Sequence, residues 1–153
     1  MLKGIYSAIF SLYDENLNVL KDSVNKLIDY DIKGGVRGFY VGGGTGECVV
    51  LPNRTRMQML ETVKSKQDGF EIIAHVGAGH LEDTLELLEH ANMVGVDAIS
   101  SLPPSLTPYY SAEETLEYYK LLAKKSKAPL LAYITPVLNC DIMEFVKKLT
   151  KID

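Results

Sequence analysis

Five times along this chain, an apolar run suited to a β-strand is followed by a stretch whose apolar residues recur at helical spacing. The first strand is Gly4 to Phe10 (GIYSAIF), followed by Leu20, Val24, Leu27 and Ile28 at i, i+4, i+7 and i+8. Gly38 to Val41 (GFYV) is the second. Pro52 then suits the first position of a helix, where a missing N–H costs nothing, and Met57, Leu60 and Val63 continue that helix. Glu71 to Val76 (EIIAHV) precedes a helix marked by Leu81, Leu85, Leu88 and Ala91. Val96 to Leu102 (VDAISSL) leads to Ser111 and Glu114, the spacing of a capping box, with Leu116, Tyr119 and Ala123 on one helical face. Pro129 to Ile134 (PLLAYI) leads to Asp141 and Glu144 at a helix start, lined by Ile142, Phe145, Val146 and Leu149.

This alternation predicts an α/β fold with a parallel sheet covered by helices. With 153 residues and no linker, the chain suits one domain. The loops that follow strands are the long and unusual ones: GGGTGECVVLPN, GAGH, PPSLTPYYS and TPVLNC. In parallel α/β folds, ligands collect at the carboxyl ends of the strands. A net charge of −4 gives no electrostatic case for nucleic acid or a membrane surface. No apolar stretch approaches the ~18 residues of a membrane span, and the acidic Asp14 and Glu15 directly after the first apolar run argue against a signal peptide. Cys48 and Cys140 fit neither a CxxC motif nor a disulfide framework, which points to a reducing cytoplasm.

The glycine run after the second strand raises two nucleotide readings, and both are weak. A dinucleotide fingerprint needs a third glycine where Glu47 stands, and a P-loop needs a lysine that is absent. No cofactor is called for. What remains is a loop whose bare N–H groups at Gly43, Gly44 and Gly46, with the Thr45 hydroxyl, suit a small carboxylate; the plainer alternative is a tight turn. With neutral donors and no lysine or arginine expected nearby, such binding would be weak. Tyr133 ends the fifth strand, where its phenol suits proton transfer or, more plainly, core packing. Tyr109 and Tyr110 belong to the same rim. His75 and His80 flank the third loop, His90 reads as structural, and no histidine pattern suits a metal. Every lysine falls on a helix, just past one, or before a strand, so none is placed for a Schiff base.

The segments LKGIYSAIFSLYDEN, FYVGGGTGE, HVGAGHLEDTLELLEHANMVGVDAIS and AYITP, in this order, resemble the pyruvate-dependent class I aldolase family of N-acetylneuraminate lyase and dihydrodipicolinate synthase. YVGG before TGE is more similar to the sialic acid lyase branch. The resemblance implies a TIM (β/α)8 barrel, of which residues 1–153 are an N-terminal partial-barrel domain of about five units, usually in a homotetramer. It implies reversible cleavage of N-acetylneuraminate to N-acetylmannosamine and pyruvate. It places the pyruvate carboxylate on the glycine loop, with Thr45 and the Gly44 position in that role, and makes Tyr133 the acid/base.

Three departures from the family pattern shape the expectation. The family's Schiff-base lysine lies on a sixth strand, beyond Asp153, so the chain is expected to be inactive alone. Gly44 stands where the family commonly has Ser or Thr. The relay tyrosine of the fourth loop aligns with Leu106 or Thr107, with Tyr109 and Tyr110 two or three positions late. Expected partners are pyruvate or a similar small carboxylate, and a second copy or a complementing barrel fragment. The alternatives are a non-catalytic half-barrel that binds a 2-oxo acid or a partner, and another aldolase of the family.

Overall fold

The computed structural model of the protein describes residues 2–103, 110–134 and 140–152. Its elements are β1 (Tyr6–Ala8), α1 (Lys21–Lys33), β2 (Gly38–Val41), α2 (Asn53–Ser65), β3 (Glu71–His75), α3 (Leu81–Val94), β4 (Ala98–Ser101), α4 (Ala112–Lys125), β5 (Leu130–Ala132) and α5 (Ile142–Leu149). All strands run parallel in one sheet ordered β1-β2-β3-β4-β5. Sequential order with crossovers of one hand puts the helices on one side of the sheet. There each packs on the next, from α1 on α2 to α4 on α5. A doubly wound sheet would reverse its strand order and carry helices on both faces.

Alternation along the strands sorts their residues into two sets. Phe39, Val41, Ile72, Ala74 and Ile99 turn toward the helices and are at most 2% exposed. They meet Val24 and Ile28 of α1, Met59 and Val63 of α2, Leu87 and Leu88 of α3, Tyr119 and Leu122 of α4, and Phe145 of α5. Each such side chain contributes about 1.5–3 kcal/mol when fully buried. The opposite face, which would look into a closed barrel, carries Tyr40, Ile73, His75, Ser100, Leu131 and Tyr133. It is buried at the centre but open toward β5, where Leu131 is 37% and Tyr133 51% exposed.

Several expectations are corrected in detail. The paired part of each strand except β2 is shorter than its apolar run. Apolar character continues past the last ladder bond because the flanking residues are buried too, as at Ile9 and Val76. Pro52 is the N-cap rather than the first helical residue; its carbonyl accepts from the amides of Thr55 and Arg56. Leu81 opens α3 at the surface, and Leu87 takes the core position instead. The Ser111–Glu114 capping box forms as expected, and Asp141 caps α5 by accepting from the amides of Met143 and Glu144. No described helix is long and apolar enough to cross a membrane.

Candidate functional site

The glycine loop leaves β2 at the carboxyl end of the sheet, and its glycines are there for different reasons. Gly42 has φ +71°, a left-handed conformation that strains other residues. A Cβ on Gly43 would lie 2.5 Å from Cε1 of Tyr40. A Cβ on Gly46 would lie 3.1 Å from the Gly42 Cα and 3.2 Å from Ser11 Oγ, because the loop folds back on its own start. Gly44 differs: nothing lies within 4 Å of where its Cβ would be, and its φ is not positive. The turn therefore accounts for three glycines and not for the fourth.

The loop is closed by a few bonds, and of its central residues Gly44 and Thr45 are exposed while Gly43 and Gly46 are buried. The amide of Glu47 donates to the Gly44 carbonyl (3.0 Å) and that of Cys48 to the Gly43 carbonyl (3.2 Å). Ser11 Oγ donates to the Gly46 carbonyl (2.8 Å), and the Tyr13 hydroxyl donates to the Glu47 carboxylate (2.6 Å). Among the described residues, the amides of Gly43, Gly44, Thr45 and Gly46 and the Thr45 hydroxyl have no acceptor. Gly44 and Thr45 border an open groove of about 630 Å³ shared with Phe10, Ser11, Leu12 and Leu20.

Under the loop, side chains from three strands stitch together four, β2 to β5. The Tyr40 hydroxyl donates to Ser100 Oγ (2.9 Å), whose own hydroxyl donates to the Leu131 carbonyl (3.2 Å). With its proton so committed, the Tyr40 oxygen accepts from Nδ1–H of His75 at 3.0 Å. This direction assigns the neutral imidazole with its proton on Nδ1 and leaves Nε2 buried without a partner. Burial, with the Arg56 charge adding to it, pushes His75 down to about 3. Burial raises Tyr40, against the Ser100 hydrogen bond.

The His75 shift makes stability depend on pH with a definite sign. The folded pKa is below the ~6.5 of an unfolded histidine, so the unfolded chain binds more protons between those values. Stability is lost as pH falls through that window, by about 2 kcal/mol from pH 7 to pH 5. Urea midpoints at the two pH values should therefore drop more for the unmodified chain than for His75→Gln; parallel drops would assign the acid sensitivity to other groups.

Arg56 was not foreseen, and it corrects the expectation that no lysine or arginine stands near the loop. It lies in the first turns of α2, 4% exposed. Its Nη2 donates to the carbonyls of His75 (2.9 Å) and Gly42 (3.4 Å), and its Nε is buried without a partner. Burial lowers its pKa from the usual value, with Cys48 and Asp83 opposing this electrostatically. The available signal was its position three, four and seven residues before Met59, Leu60 and Val63, on the apolar stripe of the helix.

Tyr133 stands just past β5, and its phenol is exposed rather than packed in the core. Its backbone is fixed: the amide donates to the Ser101 carbonyl (2.9 Å), and its carbonyl accepts from the buried Tyr119 hydroxyl (3.2 Å). Tyr119 also donates to the Ser101 carbonyl (3.0 Å). The sheet thus brings Tyr133 and the glycine loop to the same end, three strands apart, roughly 14 Å at ordinary strand spacing. Tyr110 is exposed immediately before α4; Leu106, Thr107 and Tyr109 lie outside the described residues. His90 accordingly has a structural partner, Glu61 at 2.9 Å.

A profile of the dihydrodipicolinate synthetase family matches residues 1–153. The chain belongs to this family. Among its members, N-acetylneuraminate lyase of Rhizobium meliloti is 35% identical over 136 residues, which is 88% of this chain and 45% of that protein. The sialic acid aldolase of Ruminococcus gnavus superposes with a TM-score of 0.88 at 28% identity, covering 98% of this chain and 51% of the other. CdNal of Clostridium difficile, solved in complex with mannosamine, gives a TM-score of 0.89 at 28% identity, with 99% and 53% covered. The chain spans about half the length of these relatives, and its five units form the corresponding part of the family's (β/α)8 barrel.

Proposed function

We propose that this chain provides the carboxylate-binding part of a pyruvate-handling aldol site of the N-acetylneuraminate lyase type. Gly43, Gly44, Thr45 and Gly46 hold the carboxylate of a 2-oxo acid, and Tyr133 is the acid/base beside the reacting carbonyl. The observation that carries this reading is the space at Gly44, which no fold requirement explains, next to four amides without acceptors. Successive backbone amides of a turn that lack acceptors can form an anion-binding concavity. The lyase and aldolase names of the relatives agree with a 2-oxo acid and do not favour a non-catalytic or dihydrodipicolinate synthase-like role.

The amine for covalent catalysis comes from outside these residues. Lys33, Lys64, Lys124, Lys125, Lys147 and Lys148 sit in the last turns of their helices, away from the carboxyl ends of the strands. A catalytic lysine is named for the Ruminococcus gnavus aldolase. Titration with pyruvate, followed by amide NMR, tests the reading. Shifts should centre on Gly43 to Gly46 with roughly millimolar affinity, since each net hydrogen bond contributes about 0.5–1.5 kcal/mol against the cost of association. Shifts centred elsewhere would end it.

We further propose that the chain works in the cytoplasm and self-associates. Among the described residues, β1 and β5 each leave one edge unpaired in the sheet, and Phe10, Leu131 and Tyr133 are exposed. Open parallel edges and apolar faces are templates for pairing. Sedimentation at micromolar concentration should show a species larger than one chain mass; a compact monomer would contradict the proposal.

A further inference from the structure

We propose that Arg56 is a positioning and specificity-determining residue. Its buried guanidinium ties together the carboxyl ends of β2 and β3 and makes the glycine loop prefer an anionic ligand over a neutral one of the same shape. This rests on the reading of the loop as a carboxylate site.

Location is the first support. The two carbonyls that Arg56 holds belong to Gly42 and His75, the first loop residue after β2 and the last residue of β3. A Cβ on Gly42 would lie 3.9 Å from Arg56 Nε, so the guanidinium sits directly behind the residue on which the loop turns. The free amides begin one residue further on.

Charge balance is the second. The ion pairs among the described residues join Arg37 to Glu71, Lys66 to Asp29, His90 to Glu61, Lys120 to Glu117 and Lys148 to Glu144. None includes Arg56, although it is the most buried of the charged residues. A buried charge is costly, and an apolar side chain of similar volume usually serves packing as well or better. The neighbouring core positions of α2 are Met59, Leu60 and Val63, so an apolar residue would suit the stripe. Tethering two carbonyls explains the donors but not the full positive charge.

The third support is what the loop lacks. Backbone amides and a hydroxyl are neutral donors, which favour a carboxylate over an ester oxygen only through the stronger hydrogen bonds it accepts. A fixed charge near the loop, screened little by salt because it is buried, widens that margin. At an effective dielectric of about 20 its attraction for an anion there corresponds to about a tenfold preference. The guanidinium is held by carbonyls and is in no ion pair among the described residues, so Asp83, which acts on it only electrostatically, reduces its field without neutralising it.

The test compares pyruvate with methyl pyruvate, its neutral ester, using the amide shifts of Gly43 to Gly46 to obtain both dissociation constants. The unmodified chain should prefer pyruvate by about tenfold or more. Arg56→Gln keeps a donor for one carbonyl and removes the charge, so the preference should fall about tenfold while methyl pyruvate affinity holds. Arg56→Lys should restore it. Arg56→Met serves the same purpose as Gln if the glutamine variant does not fold, because it fills the space without a polar group. Equal losses for both ligands, or an unchanged preference in the neutral variants, would show that Arg56 is only a structural tether and overturn the inference. Absence of loop shifts with either ligand in the unmodified chain would instead remove the carboxylate reading itself, and this inference with it.

Discussion

Gly44→Val should abolish measurable pyruvate binding while leaving the stability of the chain within about 0.5 kcal/mol of the original, as for a surface change that touches no special feature. The two halves of this result come from the same fact. Among the described residues, its chain neighbours apart, no atom lies within 4 Å of a Cβ at this position, and the backbone there is not left-handed. A side chain starting there meets open space among the described residues, and whatever approaches the free amides. Its branched methyls would occupy the anion position, and an affinity that starts near millimolar falls out of range. Gly44→Ser should do the reverse and strengthen binding by adding a hydroxyl beside Thr45. Gly43→Ala provides the contrast: its Cβ would lie 2.5 Å from the Tyr40 ring, and relieving such an overlap in a packed setting costs about 1–3 kcal/mol. Thermal melts and pyruvate titrations of the variants decide the matter. If Gly44→Val bound pyruvate normally, the space at this residue would have no bearing on ligands.

Incubating the 153-residue chain with pyruvate and reducing with borohydride should leave its mass unchanged. The chemistry requires an ε-amine at the carboxyl end of a strand, within reach of a carbonyl held at the glycine loop. Every lysine of the chain lies within the described residues, and none is in a strand or in the loops that follow β2, β3 or β4. Lys64 is already engaged, donating to the Gly95 carbonyl at 2.7 Å in the connection that enters β4. Lys21 begins α1, but it is exposed on a helix outside the sheet. A stoichiometric gain of one reduced pyruvate, mapped to any of these, would mean that a helix lysine of one copy reaches the loop of another.

The order and type of all five βα units were legible in the sequence because each strand carries an apolar run, buried on the helix-facing side in β2, β3 and β4, and each helix an apolar stripe. The glycine loop and Tyr133 were legible for another reason: odd residues stand out after an apolar run. The rest was hidden by physics that composition does not carry. Tyr40, His75 and Ser100 are unremarkable in FYV, EIIAH and AISS. They become a network only when the parallel register sets His75 beside Ser100 and lets the phenol reach both. Arg56 reads as an ordinary helix arginine until the stripe is phased finely enough to place it inward. The reason for each glycine was equally out of reach, since it depends on the Tyr40 ring, on Ser11, or on nothing at all.

The hydrogen-bonded line from His75 through Tyr40 and Ser100 to Leu131 has a consequence for how the sheet finds its alignment. β2 and β4 have four residues and β5 has three, so each pair has few ladder bonds with which to tell one alignment from the next. Sliding a strand by one position turns all its side chains to the other face. A slipped β3 would send His75 among the helices and leave the Tyr40 oxygen without its donor; a slipped β4 would take Ser100 from both Tyr40 and Leu131. Each error strands a polar group away from water, at a cost of about 1–3 kcal/mol. The groups that form the floor beneath the glycine loop thus also proofread the assembly of the strands that carry it.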